Sequence, residues 1–163
     1  MDHVAIAVRD MRSSIPFVTD VLGARFLFAG DQPEAAFRWA QFSFSNGGKV
    51  ELVTPSGEGF VSRFLERNGE GIHHLTLKVP DIGSALTHLE EAGTPVFGVS
   101  IERQGWKEAF IHPRDAHGTL IQVAESPWSD EDTARHHLAP HPDADHRHLL
   151  LSDLLAASAE PAP

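Results

Sequence analysis

In the first segment of the chain, residues 3–8, large apolar side chains alternate with polar or small ones. This period of two predicts a β-strand. Apolar residues then recur at helical spacing, so a helix should follow. Asp10 is a candidate N-cap for this helix. Pro16 fits the first turn better, however, if Ser13 or Ser14 is the true N-cap.

Further strands are predicted at residues 25–29, 37–44 and 49–53. The Asn-Gly-Gly sequence at residues 46–48 predicts a tight hairpin turn between the last two of them. Residues 57–71 then interrupt the strand pattern, and we interpret them as a linker with one short helix.

The pattern restarts after this linker. A strand is predicted at residues 72–79, and Asp81 is the N-cap candidate of the helix that follows. Three more strands are predicted at residues 96–99, 108–112 and 119–124. The order strand, helix, strand, strand, strand is thus repeated, and such internal repetition is informative about the fold.

The repeat predicts an α+β fold made of two tandem β-α-β-β-β modules that form a cup-shaped mixed sheet. The first module should cover residues 1–56 and the second residues 72–126. A His-rich tail with a short helix would follow at residues 127–163.

Four polar residues occupy matched places in the two modules. His3 aligns with His74 at the start of the first strand, while His73 falls on the other strand face. Glu51 follows His3 by 48 positions, and Gln122 follows His74 by the same 48 positions. Each lies between apolar neighbours, so its side chain should point away from the packed helices.

Packing alone does not require polar residues at matched inward positions, so we interpret His3, Glu51, His74 and Gln122 as the ligands of one divalent metal ion. Imidazole nitrogens with oxygen ligands suit zinc, cobalt, nickel, manganese or iron(II). This ligand set leaves room for water or substrate oxygens, which favours a catalytic site. Small residues share the predicted ligand face, as a substrate cup requires: Ala5, Ala7, Thr76 and Ala124.

Composition narrows the functional class. The chain has 163 residues, 41% of them hydrophobic, which is enough for one domain or two small modules. It has no cysteine, so thiolate ligands and disulfides are excluded. A net charge of −10 argues against nucleic-acid binding. Without a membrane-spanning apolar run or a signal-peptide pattern, we expect a cytoplasmic protein that acts on a small molecule.

The chain resembles the vicinal oxygen chelate superfamily, which includes glyoxalase I, extradiol dioxygenases and bleomycin-resistance proteins, and within it methylmalonyl-CoA epimerases most closely. The resemblance covers residues 1–125 and is carried by four segments: 2–8 (DHVAIAV), 49–55 (KVELVTP), 71–82 (GIHHLTLKVPDI) and 109–122 (AFIHPRDAHGTLIQ).

The resemblance implies an isomerase, epimerase or lyase that works through a metal-stabilised enolate, and it implies a homodimer. Epimerases of this family usually carry Glu at the position of Gln122 and either Gln or Glu at that of Glu51. An amide cannot act as a general base. Glu51 is therefore the carboxylate expected to move the proton, and Glu108 is a second candidate whose side chain is more easily interpreted as a solvated charge at a strand end.

Two other functions stay open. His3, His74 and Glu51 alone match the two-His, one-carboxylate set of iron(II) oxygenases, although Gln122 as a fourth ligand would fill a position that oxygen chemistry needs. A non-catalytic ligand-binding protein of the resistance type is the other alternative, although those proteins generally lack the metal residues.

Some residues near the predicted site are more simply explained as structural. His112 is a candidate contact at the rim, but a strand-end ring packed on Phe110 or Trp106 is favoured. Trp39, Trp106 and Phe42 could line the cup, but strand aromatics belong to the core by default. The tail histidines could bind metal; because their spacing is irregular, a flexible tail with one helix that docks through its leucines is favoured. These histidines are residues 136, 137, 141, 146 and 148.

Overall fold

The computed structural model describes residues 1–101, 105–138 and 147–156. The strands are β1 (His3–Ala7), β2 (Arg25–Gln32), β3 (Phe37–Ser43), β4 (Lys49–Pro55), β5 (Gly71–Lys78), β6 (Val96–Ser100), β7 (Lys107–Ile111), β8 (Leu120–Glu125) and β9 (Arg147–Leu149). The α-helices are α1 (Met11–Pro16), α2 (Phe60–Asn68), α3 (Ile82–Glu91), α4 (Asp130–Leu138) and α5 (Leu151–Ala156).

The predicted α+β fold class is confirmed. The element order β1-α1-β2-β3-β4 is repeated by β5-α3-β6-β7-β8, with α2 between the two sets. By its contacts the chain forms two compact units. The first contains Met1–Ala5 with His73–Ser129, and the second contains Ile6–Ile72 with the described residues that follow Ser129.

The first unit is built on neighbouring strands in the order β6-β7-β8-β5. β5 and β8 run parallel, whereas β6 with β7 and β7 with β8 are antiparallel. At the start of β1, the backbone nitrogen of Asp2 donates to the carbonyl oxygen of Thr76 at 2.7 Å. Helix α3 begins where predicted, because the Asp81 carboxylate accepts from the backbone nitrogen of Ser84 at 2.8 Å.

The second unit holds an antiparallel sheet in the order β4-β3-β2-β9. Helices α1 and α5 contribute to its main hydrophobic core, which removes large apolar side chains from water and so stabilises the unit. The fully or almost fully buried members of this core include Met11, Ile15, Val18, Ala29, Ala40, Phe42, Leu52 and Leu154.

The start of α1 differs from the favoured prediction. Asp10 is the N-cap, and its carboxylate accepts from the backbone nitrogen of Arg12 at 3.0 Å. The alternative caps, Ser13 and Ser14, lie inside the helix and donate their hydroxyls to the carbonyl oxygen of Asp10. Pro16 therefore ends the regular helix, because it lacks a backbone N–H, and a π-helical turn follows.

The tail contains more structure than one short helix. Helix α4 carries three acidic residues in its first turn, where they interact favourably with the helix dipole. Strand β9 pairs with β2, and α5 places Leu154 in the main core of the second unit. The docking of a tail helix through a leucine is thus as expected. The tail histidines lie outside the described side chains, and the chain end, 157–163, lies outside the described residues.

Within the described ranges, no helix is long and apolar enough to cross a bilayer.

Candidate metal centre and active site

His3 begins strand β1, and a polar side chain lies beside each of its ring nitrogens. Its Nδ1 lies 2.8 Å from the carboxylate of Asp2, and its Nε2 lies 3.0 Å from the hydroxyl oxygen of Thr76. A carboxylate can only accept, so Nδ1 carries the hydrogen that Asp2 receives. This arrangement directs Nε2 toward the interior of the first unit, where His3 is almost fully buried.

His74 lies on β5 with its ring close to that of His3, the two ring centroids being 5.8 Å apart. An imidazole bound to a metal has its centroid roughly 3 Å from the ion, given nitrogen–metal distances of about 2.1 Å. Two rings on one ion can then lie up to about 6 Å apart, so the observed spacing of His3 and His74 allows a shared ion.

Burial keeps His74 neutral. Burial is the largest of the causes that lower the pKa of His74 to about 3. The neighbouring rings of His73 and His3 also lower this pKa, and a hydrogen bond with Gln122 raises it. Burial also lowers the pKa of His73 to about 4. Metal binding requires a neutral imidazole, and His74 meets this requirement at neutral pH without the loss of a proton.

His73 contacts the candidate ligand His74 but is not itself a candidate ligand. Its Nδ1 lies 2.9 Å from Nδ1 of His74, and this contact orients the His74 ring. The sequence assigned His73 to the other strand face, and its role in orienting His74 was missed.

Gln122 lies on β8, directly opposite Thr76 on β5 in the parallel register. The Thr76 hydroxyl donates to the side-chain oxygen of Gln122 at 2.5 Å, and the side-chain nitrogen of Gln122 donates to Glu108 at 2.6 Å. The amide is therefore oriented at both ends. Its oxygen faces Thr76, which also contacts His3, so Gln122 belongs to the same cluster as the two histidines.

The donor chemistry of this cluster fits a divalent ion. It offers two buried imidazoles, one of which has a strongly lowered pKa, and one amide oxygen. Nitrogen and oxygen donors of this kind suit the first-row transition metals. Asp2 supplies the outer carboxylate that commonly orients a metal-bound histidine.

Glu51 lies in the second unit, on β4. It is buried, and its carboxylate accepts a hydrogen bond of 2.9 Å from the side-chain nitrogen of Gln41, its register partner on β3. The structure therefore brings His3, His74 and Gln122 together within one unit, while Glu51 is described within the other. Gln41 was not identified from the sequence, although its polar side chain between apolar neighbours on β3 was a usable signal.

Three expectations about neighbouring residues change. Glu108 is half-buried and hydrogen bonded, so its interpretation as a solvated charge is wrong. His112 has the expected strand-end position, but its exposed ring lies beside Phe97, not Phe110 or Trp106. Trp106 donates its indole N–H to Glu108 at 2.9 Å.

The other two aromatic residues agree with the core interpretation. Phe42 is fully buried in the main core of the second unit. Trp39 is partly buried against a smaller apolar cluster of the same unit, beside the ring of Phe28.

Known proteins are similar to this chain in sequence. An ethylmalonyl-CoA/methylmalonyl-CoA epimerase of Cereibacter sphaeroides is 35% identical over 130 residues, which cover 77% of this chain and 96% of the relative. The human mitochondrial methylmalonyl-CoA epimerase is 30% identical over 130 residues, covering 77% of this chain and 73% of its own length.

Solved structures of methylmalonyl-CoA epimerases are also similar to this chain. The methylmalonyl-CoA epimerase of Mycobacterium tuberculosis has a TM-score of 0.71 at 28% identity and covers 78% of this chain and 87% of its own. A substituted Streptomyces coelicolor methylmalonyl-CoA epimerase, in complex with 2-nitronate-propionyl-CoA, has a TM-score of 0.69 at 25% identity. It covers 78% of this chain and 97% of its own.

The model of the Glyoxalase/Bleomycin resistance protein/Dioxygenase superfamily matches residues 1–123, a range that contains all four segments that carry the resemblance. The chain belongs to this superfamily.

Proposed function

We propose that this chain is a metal-dependent epimerase that acts on a 2-alkylmalonyl thioester of coenzyme A. The observation that carries the proposal is the cluster of His3, His74 and Gln122, in which His74 is held neutral by burial. Relatives that match nearly their whole length, or most of it, to this chain are epimerases of methylmalonyl-CoA or ethylmalonyl-CoA.

The proposed ligands of the ion are His3, Glu51, His74 and Gln122. Two imidazoles and one carboxylate are a donor set that suits a divalent ion, and all three side chains are buried. The equal 48-residue offsets from His3 to Glu51 and from His74 to Gln122 support the inclusion of Glu51 and Gln122 in one set. The candidate ions are zinc, cobalt, nickel, manganese and iron(II).

Such an ion, when bound, supplies positive charge that stabilises an enolate of the substrate. His3 and His74 hold the ion as neutral bases, and Asp2 fixes the ring of His3 by accepting its Nδ1 hydrogen. Gln122 contributes an oxygen but no basic group, because an amide does not take up a proton near neutral pH.

Glu51 is the group that we assign to proton transfer at the carbon next to the thioester. Its carboxylate is buried, and Gln41 donates to one of its oxygens, which holds the side chain in one orientation. Inversion at the carbon also requires a proton donor on the opposite face of that carbon.

The test uses one diastereomer of methylmalonyl-CoA in heavy water with the protein loaded in turn with each candidate metal. Mass spectrometry measures deuterium at the acidic carbon, and chiral analysis measures the second diastereomer. We expect both to form with wild-type protein, and we expect Glu51→Gln to lower the rate at least about 100-fold, as for the loss of a general base. Glu66→Gln, on the exposed face of α2, is the matched control.

An absence of deuterium incorporation with every metal would overturn the proposed reaction. Oxygen consumption by the iron(II)-loaded protein with a catechol would support the dioxygenase alternative instead. Tight binding of the thioester by metal-free protein, without turnover in any loaded form, would support a ligand-binding protein.

A further inference from the structure

Glu108, on β7, receives two hydrogen bonds on one carboxylate oxygen. The indole nitrogen of Trp106 donates to Oε2 at 2.9 Å, and the side-chain nitrogen of Gln122 donates to the same oxygen at 2.6 Å. In the antiparallel register Glu108 faces Ala124, so Gln122 is its diagonal neighbour on the same face of the strand pair.

This contact determines which way the Gln122 amide points. An amide has a donor end and an acceptor end, whereas a carboxylate can only accept. The nitrogen of Gln122 must therefore face Glu108, which leaves its oxygen toward Thr76 and the histidines. A flipped amide would place its oxygen against the carboxylate and its nitrogen toward the proposed ion, and both contacts would be repulsive.

We propose that Glu108 is a positioning residue that fixes the Gln122 amide with its oxygen directed into the metal site. This inference rests on the proposed metal-dependent function. Trp106 stabilises the arrangement from the other side by holding the carboxylate that Gln122 contacts.

The same pairing explains why an amide, not a carboxylate, stands at position 122 in this chain. A carboxylate there would meet the Glu108 carboxylate at hydrogen-bond distance with no hydrogen between them. Like charges at this separation destabilise the folded state. The carboxylate of the pair lies on β7 and the amide on β8. We expect the protein to tolerate a carboxylate on β8 only if the residue on β7 becomes an amide at the same time.

The first experiment measures metal affinity by calorimetry. Glu108→Gln keeps the size of the side chain but can pair with either orientation of the Gln122 amide, so we expect affinity to fall about 10-fold, the lower end for loss of an orienting group. Glu108→Leu should lower it at least as much. Glu90→Gln, at an exposed position of α3 in the same unit, is the control and should leave affinity unchanged.

The second experiment needs no metal. We expect Gln122→Glu to lower the midpoint of thermal unfolding of the metal-free protein, and the double variant Glu108→Gln/Gln122→Glu to recover at least half of the loss. Additive effects of the two substitutions would overturn the pairing, because contacting residues should be coupled.

The outcomes separate this inference from the proposed function. If wild-type protein binds metal and Glu108→Gln binds it equally well, the positioning role is wrong and the metal site stands. If wild-type protein binds no metal but the thermal cycle shows coupling, the pairing stands as a structural contact, while both the positioning role toward a metal and the metal-dependent function are wrong.

Discussion

The carboxylate of Asp2 lies 2.8 Å from Nδ1 of His3, so the side chains of two consecutive residues are hydrogen bonded to each other. Thr76 contacts the opposite nitrogen of the same ring at 3.0 Å. The hydrogen bond to Asp2 therefore orients the His3 ring, as is common for a histidine that binds a metal ion.

Substitution of Asp2 tests this orientation. Asp2→Asn keeps the shape of the side chain but removes the negative charge that favours the Nδ1–H form of His3. We expect metal affinity to fall about 10- to 100-fold. Calorimetric titration measures it, with Asp20→Asn in the second unit as the control. Equal affinities of the two variants would contradict the assigned role of Asp2.

The lowered pKa values of His73 and His74 predict acid sensitivity of the metal-free protein. Both groups have folded pKa values below the unfolded value of 6.5, so the unfolded chain binds more protons as pH falls through 6.5 and toward 4. Stability is therefore fully present above pH 6.5 and is lost on acidification. Between pH 7 and pH 5 we expect a loss of about 2 kcal/mol for each ring.

Urea unfolding of chelator-treated protein measures this loss. His73→Gln should make the free energy of unfolding less dependent on pH over this window, because one of the two titrating rings is gone. His88→Gln, at an exposed position of α3, should not. A pH dependence that is the same in all three proteins would contradict the burial of neutral rings.

The tail helix α5 offers a second test of the fold. Leu154 is 4% exposed and belongs to the main core of the second unit, whereas its neighbour Leu155 is 38% exposed. Leu154→Ala should lower the free energy of unfolding by about 2–4 kcal/mol because it leaves a cavity. Leu155→Ala should change it by less than about 0.5 kcal/mol. Equal effects in chemical denaturation would show that α5 does not dock as described.

Close packing at one strand pair gives a third stability test. Gly30 on β2 faces Trp39 on β3, and a methyl group on Gly30 would lie 2.8 Å from Cζ2 of the indole. Gly30→Ala should destabilise the protein by about 1–3 kcal/mol because the rigid ring must shift. Gly71→Ala has open space around the added methyl and is the control. Denaturation midpoints that do not separate these two variants would contradict this packing.

Much of the fold follows from local pattern. The period-two segments and the two capping aspartates, Asp10 and Asp81, predict elements from side-chain chemistry that acts over a few residues. The favoured N-caps of α1, Ser13 and Ser14, are wrong because Pro16 does not need to lie in the first turn of this helix. The helix instead tolerates it at its last position and continues as a π-helical turn.

The candidate ligands were identifiable because a repeat makes equivalent positions visible. Their hydrogen-bonding partners were not. Glu108 looks like an ordinary strand-end charge until the β7–β8 register makes it the diagonal neighbour of Gln122. Thr76 was recognised only as a small residue of the ligand face, because its hydroxyl contacts depend on which strand lies beside β5.

The most direct test of the central claim is elemental analysis of purified protein and its histidine variants after equilibration with each candidate metal and removal of excess. We predict one tightly held divalent ion per chain in wild-type protein and in His88→Ala, and loss of that ion in His74→Ala and His3→Ala, with each variant shown to be folded by circular dichroism. An unchanged metal content in folded His74→Ala would contradict the metal centre.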